Sequence, residues 1–99
     1  MVINVFMIIG ILTVDLLIPS ASSLKEKRRV IKSLKERLKN SFNISIIEDG
    51  YHDKWQRAKI AIANLNIDRR ATESQLSKIE NFIEGFQNVQ ILNRRAELI

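Results

Sequence analysis

Six lysine and arginine side chains between residues 24 and 40 are spaced so that they could bind phosphate groups together. The residues of this basic ridge are Lys25, Arg28, Arg29, Lys32, Lys35 and Lys39. On a helical wheel they fall within an arc of about 120°, opposite an apolar stripe. Because cations that neutralise phosphates release counterions, such a ridge suits a nucleic-acid backbone, and RNA is the partner we expect. The alternative is a solvated helix face that only aids solubility.

The positive charge of the chain is concentrated in this segment. Residues 24–40 hold eight Lys or Arg and two Glu, a net charge of +6, whereas the whole chain carries +5. The segment with the second apolar stripe carries Glu73, Glu80 and Glu84 against Lys78. We therefore expect one positive side of the molecule and one weakly negative side.

A second candidate site is grouped around the single tryptophan. Its members are Lys27, Asp53, Trp55, Gln56 and Arg57. Lys27 falls in the middle of the apolar stripe, and a buried cation needs a partner. Either its ammonium passes the sheet edge into water, or it joins Asp53 and its neighbours in a charged cluster. For Trp55 we expect a lid over one end of the core rather than a binding anchor.

The first half of the chain predicts a strand followed by a helix. β-Branched and aliphatic residues from about 7 to 18 predict a buried strand that ends at Pro19. Ser23 and Glu26 have the spacing of a capping box, so the helix is expected to begin there. Apolar residues at helical spacing extend it to about Asn40.

The second half predicts a hairpin, a helix and a last strand. Residues 42–46 and 58–63 alternate as two strands joined by a long polar loop, with a turn at Asp49-Gly50. Residues 71–86 predict a helix, and residues 89–99 a strand whose polar middle breaks its alternation. Two right-handed crossovers then place both helices on one face of an antiparallel sheet ordered 4-1-3-2. This α+β architecture is the ferredoxin-like βαββαβ sandwich.

Length and composition indicate a single domain without a membrane segment. A chain of 99 residues with 45% apolar residues suits one core. The apolar run over residues 7–18 is interrupted by Asp15 and is shorter than the ~20 residues that a membrane helix needs. It also lacks the basic start of a signal peptide. We expect a cytoplasmic protein with no membrane partner.

Few residues offer catalytic or metal chemistry. The chain has no cysteine, which excludes disulfides, thiolate metal sites and thiol catalysis. His52 is the single histidine, and one histidine near a few acids is a weak metal signal and builds no Ser-His-Asp arrangement. An acylphosphatase of this fold cradles phosphate in a glycine-rich loop after the first strand, but residues 19–23 contain no glycine. We expect no metal, no cofactor and no catalytic activity, and a small phosphate-handling enzyme remains the weaker alternative.

The first strand is apolar on both faces over half its length. Ile9 and Ile11 point to one face, and Leu12 and Val14 to the other. Because two helices cover only one face, the other leaves an apolar patch, and such patches mark interfaces. We expect a homo-oligomer, in the simplest case a dimer, held by this open sheet face.

Three motifs resemble the YlxP-like family of small bacterial proteins. They are Ile18-Pro19 followed by the Ser-Leu-Lys-Glu-Lys-Arg run of residues 23–28, Asp53-x-Trp55-Gln56-Arg57, and Asp68-Arg69-Arg70. The resemblance covers residues 7–99, so we interpret residues 7–99 as the domain and residues 1–6 as an N-terminal extension. It implies the ferredoxin-like fold, and the family has no established activity. Genes of the family commonly lie beside translation initiation and ribosome-maturation factors, which favours a ribosome-linked role.

Together these patterns predict a non-enzymatic binding domain whose first helix contacts RNA or the ribosome. The principal alternative is a structural or regulatory homodimer without a nucleic-acid role. The basic ridge and the open sheet face lie on different sides of the predicted fold, so the two functions are compatible.

Overall fold

The computed structural model describes residues 7–99, which form four strands and two helices in the predicted order. They are β1 (Ile8–Leu17), α1 (Leu24–Ser41), β2 (Ile44–Gly50), β3 (Arg57–Asn66), α2 (Arg69–Glu84) and β4 (Gln90–Leu98). The interpretation of residues 1–6 as an extension lies outside the described residues.

The four strands form one antiparallel sheet in the order β2-β3-β1-β4, which confirms the predicted ferredoxin-like topology. β1 lies in the centre and pairs with β3 along its whole length, from Ile8 opposite Asn66 to Leu17 opposite Arg57. On its other side β1 pairs with β4. The two edges of the sheet are therefore β2 and β4.

One face of the sheet packs against both helices and forms the core. Alternate residues of the two central strands are fully buried, among them Leu12 and Val14 of β1 and Ile60 and Ile62 of β3. They form one cluster with side chains of the helices, namely Ile31, Leu34, Leu38, Leu76, Ile79 and Ile83. Each such side chain contributes roughly 1.5–3 kcal/mol by leaving water.

The start of α1 follows the predicted cap. The Ser23 hydroxyl accepts a hydrogen bond from the Glu26 backbone N–H at 3.1 Å. The Glu26 carboxylate in turn accepts from the backbone N–H and the hydroxyl of Ser22, at 2.8 and 2.9 Å. These bonds, first the one from the Ser22 backbone, hold the pKa of Glu26 below its ordinary value. The carboxylate therefore fixes the turn that leads into α1.

Two strands differ from the sequence expectation, and a β-bulge explains each difference. The turn predicted at Asp49-Gly50 is wrong, because β2 continues to Gly50 with a register shift between Glu48 and Gly50. In β4 the register shifts by one residue at Leu92, after which the polar middle of the strand stays paired with β1. A bulge uses the same polar and glycine residues as a turn, so alternation alone does not separate the two.

Candidate functional site

The basic ridge lies on the exposed side of α1, opposite the buried side chains of that helix. Five of its six residues are exposed and Lys35 is half-buried. One flank of the ridge runs beside the edge strand β2, where it lines a shallow concave strip of about 320 Å³ together with the carboxylates Glu36 and Glu48. The ridge residues in this strip are Arg28, Lys32, Lys35 and Lys39. The predicted surface is thus present as one continuous flank of a helix.

The ridge cations have no carboxylate partner at ion-pair distance among the described residues. Within residues 7–99, four ion pairs lie within 4.0 Å and none of them includes a ridge residue. The pairs are Arg57 with Asp15, Arg69 with Glu73, Arg94 with Glu80, and Arg95 with Glu97. The positive charge of the ridge is therefore left for solvent or a ligand.

Lys27 is buried, and its ammonium group ends on a backbone carbonyl. The residue is 2% exposed, and its Nζ donates to the carbonyl oxygen of Tyr51 at 2.5 Å. Burial lowers the pKa of Lys27, while the carboxylates of Glu48 and Asp53 oppose that shift. The interpretation that Lys27 reaches past the sheet edge into water is therefore wrong. Lys27 instead ties α1 to the loop between β2 and β3.

Gln56 makes a second tie between this loop and the start of α1. Its side-chain Nε2 donates to the carbonyl oxygens of Pro19 and Ala21, at 3.1 and 3.3 Å. Its own carbonyl accepts from the backbone N–H of Ile18 at 2.9 Å. With Lys27, these bonds anchor the loop on both sides of the turn that precedes α1.

The other members of the predicted cluster do not meet at Lys27. Arg57 stacks on Tyr51, with its guanidinium carbon 4.5 Å from the ring centroid, and lies 4.0 Å from Asp15. Asp53 is exposed and acts on Lys27 only through its charge. Trp55 is 54% exposed, so the expectation that it covers the core as a lid is wrong. Four of the five residues, Asp53, Trp55, Gln56 and Arg57, still border one shallow surface depression, to which Lys27 does not contribute.

Sequence reasoning missed a groove between α1 and the C-terminal end of α2. The groove has a volume of about 690 Å³ and includes Arg29 of the ridge. Arg37 of α1 lies on its wall with the guanidinium carbon 5.7 Å from the ring centroid of Phe86. Phe82 and Phe86 recur at helical spacing, but only the distance between the helices shows that they border an open space.

The sheet face away from the helices has an apolar end and a polar end. Ile9, Ile47 and Leu65 are 41%, 60% and 51% exposed at the apolar end. Further along the face, Asp15 lies between its cross-strand neighbours Lys59 and Asn93. The apolar patch expected from the sequence is therefore restricted to one half of this open face.

Two further observations concern clusters of metal ligands and the length of the helices. Among residues 7–99, His52 and the acidic side chains form no group of three that could hold a metal ion. No helix in the same part of the chain is long and apolar enough to cross a membrane.

Known proteins resemble this chain over nearly all of its length. The family described as "Protein of unknown function (DUF503)" matches residues 9–96. The "Uncharacterized protein YlxP" of Bacillus subtilis (strain 168) is 40% identical over 89 residues, which cover 90% of this chain and 97% of that protein.

Solved structures share the fold at low sequence identity. A structural-genomics protein, YJCS, superposes with a TM-score of 0.52 at 14% identity, covering 90% of this chain and 96% of its own. The de novo designed protein Foldit4 gives a TM-score of 0.50 at 14% identity, covering 92% of this chain and 96% of its own. At such identities the likeness shows the fold alone.

Proposed function

We propose, from the premise that the chain belongs to the DUF503 family of proteins of unknown function, a non-enzymatic RNA-binding role. In this role the basic ridge of α1 contacts the phosphates of the RNA. One observation carries the proposal. Within residues 7–99, no ridge cation lies within ion-pair distance of a carboxylate, whereas four arginines elsewhere are paired. RNA, free or within the ribosome, supplies the anions that would complete this surface.

The spacing of the ridge also favours a ligand over a solvated face. Lys25 with Arg29, Arg28 with Lys32 and Lys35 with Lys39 are like-charge pairs at i,i+4. Each such pair destabilises a helix by roughly 0.2–0.5 kcal/mol. A surface needed only for solubility would be served as well by mixed charges. Phosphates bound along the ridge would turn this repulsion into attraction.

The length of the ridge suits a run of phosphates. Arg28 and Lys39 are separated by about three turns of helix, or ~16 Å at 1.5 Å per residue. Backbone contacts of this kind fix the position of the nucleic acid and carry no sequence information by themselves. The ridge is therefore expected to bind RNA of many sequences with a strong dependence on salt.

The test removes the positive charges from the flank of the ridge that runs beside β2, and it keeps α1 helical. Four residues are changed to Gln, namely Arg28, Lys32, Lys35 and Lys39. Fluorescence anisotropy with labelled RNA should show weaker binding for every sequence. The slope of log affinity against log salt should fall by about three units, at ~0.7 to 0.9 per lost contact.

A matched control separates the ridge from net charge. The control changes four exposed cations outside α1 to Gln, namely Lys54, Arg69, Arg70 and Lys78. It lowers the net charge by the same amount and should bind RNA more tightly than the ridge variant. Equal losses in the two variants, or no RNA binding by the unmodified protein at low salt, would refute the proposal.

A second candidate function, a structural or regulatory homodimer, is favoured by the apolar end of the open face. Ile9, Ile47 and Leu65 would be covered by the same surface of a second copy, as in isologous dimers. The helices lie on the other side of the sheet, so the ridge stays accessible in such a dimer.

Sedimentation tests the dimer directly. At micromolar concentration the protein should sediment as a species larger than 11.5 kDa. Ile9→Lys should yield the monomer with unchanged helical circular dichroism. Trp55→Lys, at an exposed position in the loop between β2 and β3, at the opposite end of β3 from Leu65, should leave the oligomer intact. A single 11.5 kDa species for the unmodified protein would exclude this function.

A further inference from the structure

We propose that the groove between α1 and α2 holds a base of single-stranded RNA, an inference that rests on the RNA-binding function and names its ligand class. The groove volume of about 690 Å³ falls within the range of pockets that bind small ligands, ~300–1,000 Å³. Its position next to the ridge makes it reachable by a strand whose phosphates lie on α1.

The floor of the groove is aromatic. Phe82 and Phe86 are half-buried, with ring centroids 6.4 Å apart and planes inclined by 30°. Single-stranded RNA is recognised by stacking of unpaired bases on aromatic rings and on the guanidinium planes of arginines. Arg37 already lies over the ring of Phe86. A base that enters the groove would meet both kinds of stacking surface.

The walls of the groove are polar and carry no negative charge. Its lining includes Arg29, Arg37 and the amide side chains of Asn81, Gln87 and Asn88, and it includes no Asp or Glu. Amide groups can donate to and accept from the edge of a base, while the arginines suit phosphates. The carboxylates of an acidic peptide would bind the arginines, but they would not stack on the phenylalanine rings and could not donate hydrogen bonds to the amide groups.

Arg29 connects the groove with the ridge. It lies within the arc of ridge cations and also lines the groove. It is exposed, and none of the ion pairs within residues 7–99 includes it. A strand that crosses α1 at Arg29 therefore places phosphates on the ridge on one side of the helix and a base in the groove on the other. The proposed site thus selects single strands, because a base in a duplex is stacked and paired.

The experiment compares two RNA probes and three variants. The probes are a labelled ten-nucleotide single strand and a duplex of the same sequence. Phe86→Leu removes the ring and retains an apolar side chain, and Arg37→Gln changes the groove wall without altering the core. Phe42→Leu is the matched control, because Phe42 packs edge-on against Phe82 at 6.1 Å and does not line the groove.

Both groove variants should bind the single strand about 5- to 150-fold more weakly, which corresponds to the stacking of one base at ~1–3 kcal/mol. The duplex affinity and the salt slope of Phe86→Leu should stay those of the unmodified protein, whereas Arg37→Gln should weaken binding of the single strand more than binding of the duplex. Phe42→Leu should bind both probes normally. Thermal melts show whether each variant is folded, and Arg37→Gln tests the groove even if Phe86→Leu unfolds.

The possible failures can be told apart. If the unmodified protein binds RNA and the groove variants bind the single strand like Phe42→Leu, the groove inference is wrong and the ridge function stands. If the unmodified protein binds no RNA, both are wrong. If a poly-glutamate peptide displaces the single strand as well as unlabelled RNA of equal charge does, and Phe86→Leu weakens the peptide as much as the RNA, the groove is a site for acidic peptides and the base assignment is overturned.

Discussion

Helices α1 and α2 cover the same face of the sheet, but they carry their charges in different ways. α1 holds eight Lys or Arg against two Glu, and within residues 7–99 its ridge cations have no carboxylate partner. α2 holds three residues of each sign, and its Glu73 and Glu80 pair with Arg69 and Arg94. Half of the six charged residues of α2 are therefore paired within the described residues, whereas none of the ridge cations of α1 is, and the functional proposals centre on α1.

The helices also differ in how they are held to the sheet. α1 is attached near its start by a buried cation, Lys27, which reaches the backbone of the loop between β2 and β3. α2 lies so close to β1 that a Cβ on Gly10 would be 2.5 Å from the methyl group of Thr72. In addition to their apolar contacts with the core, α1 therefore has the charged hydrogen bond of Lys27, and α2 has a close approach that requires the absence of a side chain at Gly10.

The largest expected effect comes from reversing the buried charge of α1. Lys27→Glu would place a carboxylate against the Tyr51 carbonyl and near Glu48 and Asp53. An uncompensated buried charge costs about 3–5 kcal/mol in the free energy of unfolding, measured by urea denaturation. Arg28→Glu, the same reversal at an exposed position, should change it by only about 0.5 kcal/mol. Equal losses would mean that the ammonium of Lys27 is not buried.

A smaller loss in the free energy of unfolding is expected for a substitution where α2 packs against β1. Gly10→Ala forces Thr72 or the backbone to move, and overpacking of this kind costs about 1–3 kcal/mol in urea denaturation. The control is Gly50→Ala, because the nearest atoms to a Cβ there, on Lys59, are at 3.5 Å, an ordinary contact. If both variants unfold at the same urea concentration, the close approach of α2 to the sheet is not real.

The smallest expected effect is on the melting temperature, when the Glu26 carboxylate at the start of α1 is removed. The pKa of Glu26 is lowered in the folded state, so its contribution to stability is present above the ordinary value of 4.5. It is lost as the pH falls through the lowered pKa. Glu26→Gln should therefore melt below the unmodified protein at pH 7, and the difference should shrink as the pH falls below 4.5.

Glu36→Gln is the control for this comparison, because it removes the other carboxylate of α1 from an exposed position away from the cap. At pH 7 its melting temperature should lie closer to that of the unmodified protein than that of Glu26→Gln does, because Glu36 accepts no hydrogen bond at the cap. A difference for Glu26→Gln that stays constant at low pH would contradict the role of Glu26 in the cap. Neither variant should weaken RNA binding.

The fold could be predicted because its signals are local. Alternation marked the central strands, and the spacing of Ser23 and Glu26 marked the start of α1. The bulge at Asp49-Gly50 was mistaken for a turn because both structures favour the same residues.

The candidate site was predictable only in part. Helical periodicity places the ridge cations on one side of α1, and it places Lys27 among the apolar side chains. It does not identify the partner of Lys27, because that partner is a backbone carbonyl, which every residue has. The groove depends on the distance between two helices far apart in sequence, and the residues of each helix carry no signal of that distance.

Among the described elements, β1 is synthesised first, yet both of its neighbours in the sheet come late. β3 begins at Arg57 and β4 at Gln90. Pairings so distant along the chain slow folding, because chain entropy is lost before they form. Until β3 leaves the ribosome, β1 is an unpaired apolar segment of the kind that aggregates. The time that translation takes to pass through residues 18–56 is therefore the minimum time for which β1 has no neighbouring strand in the nascent chain.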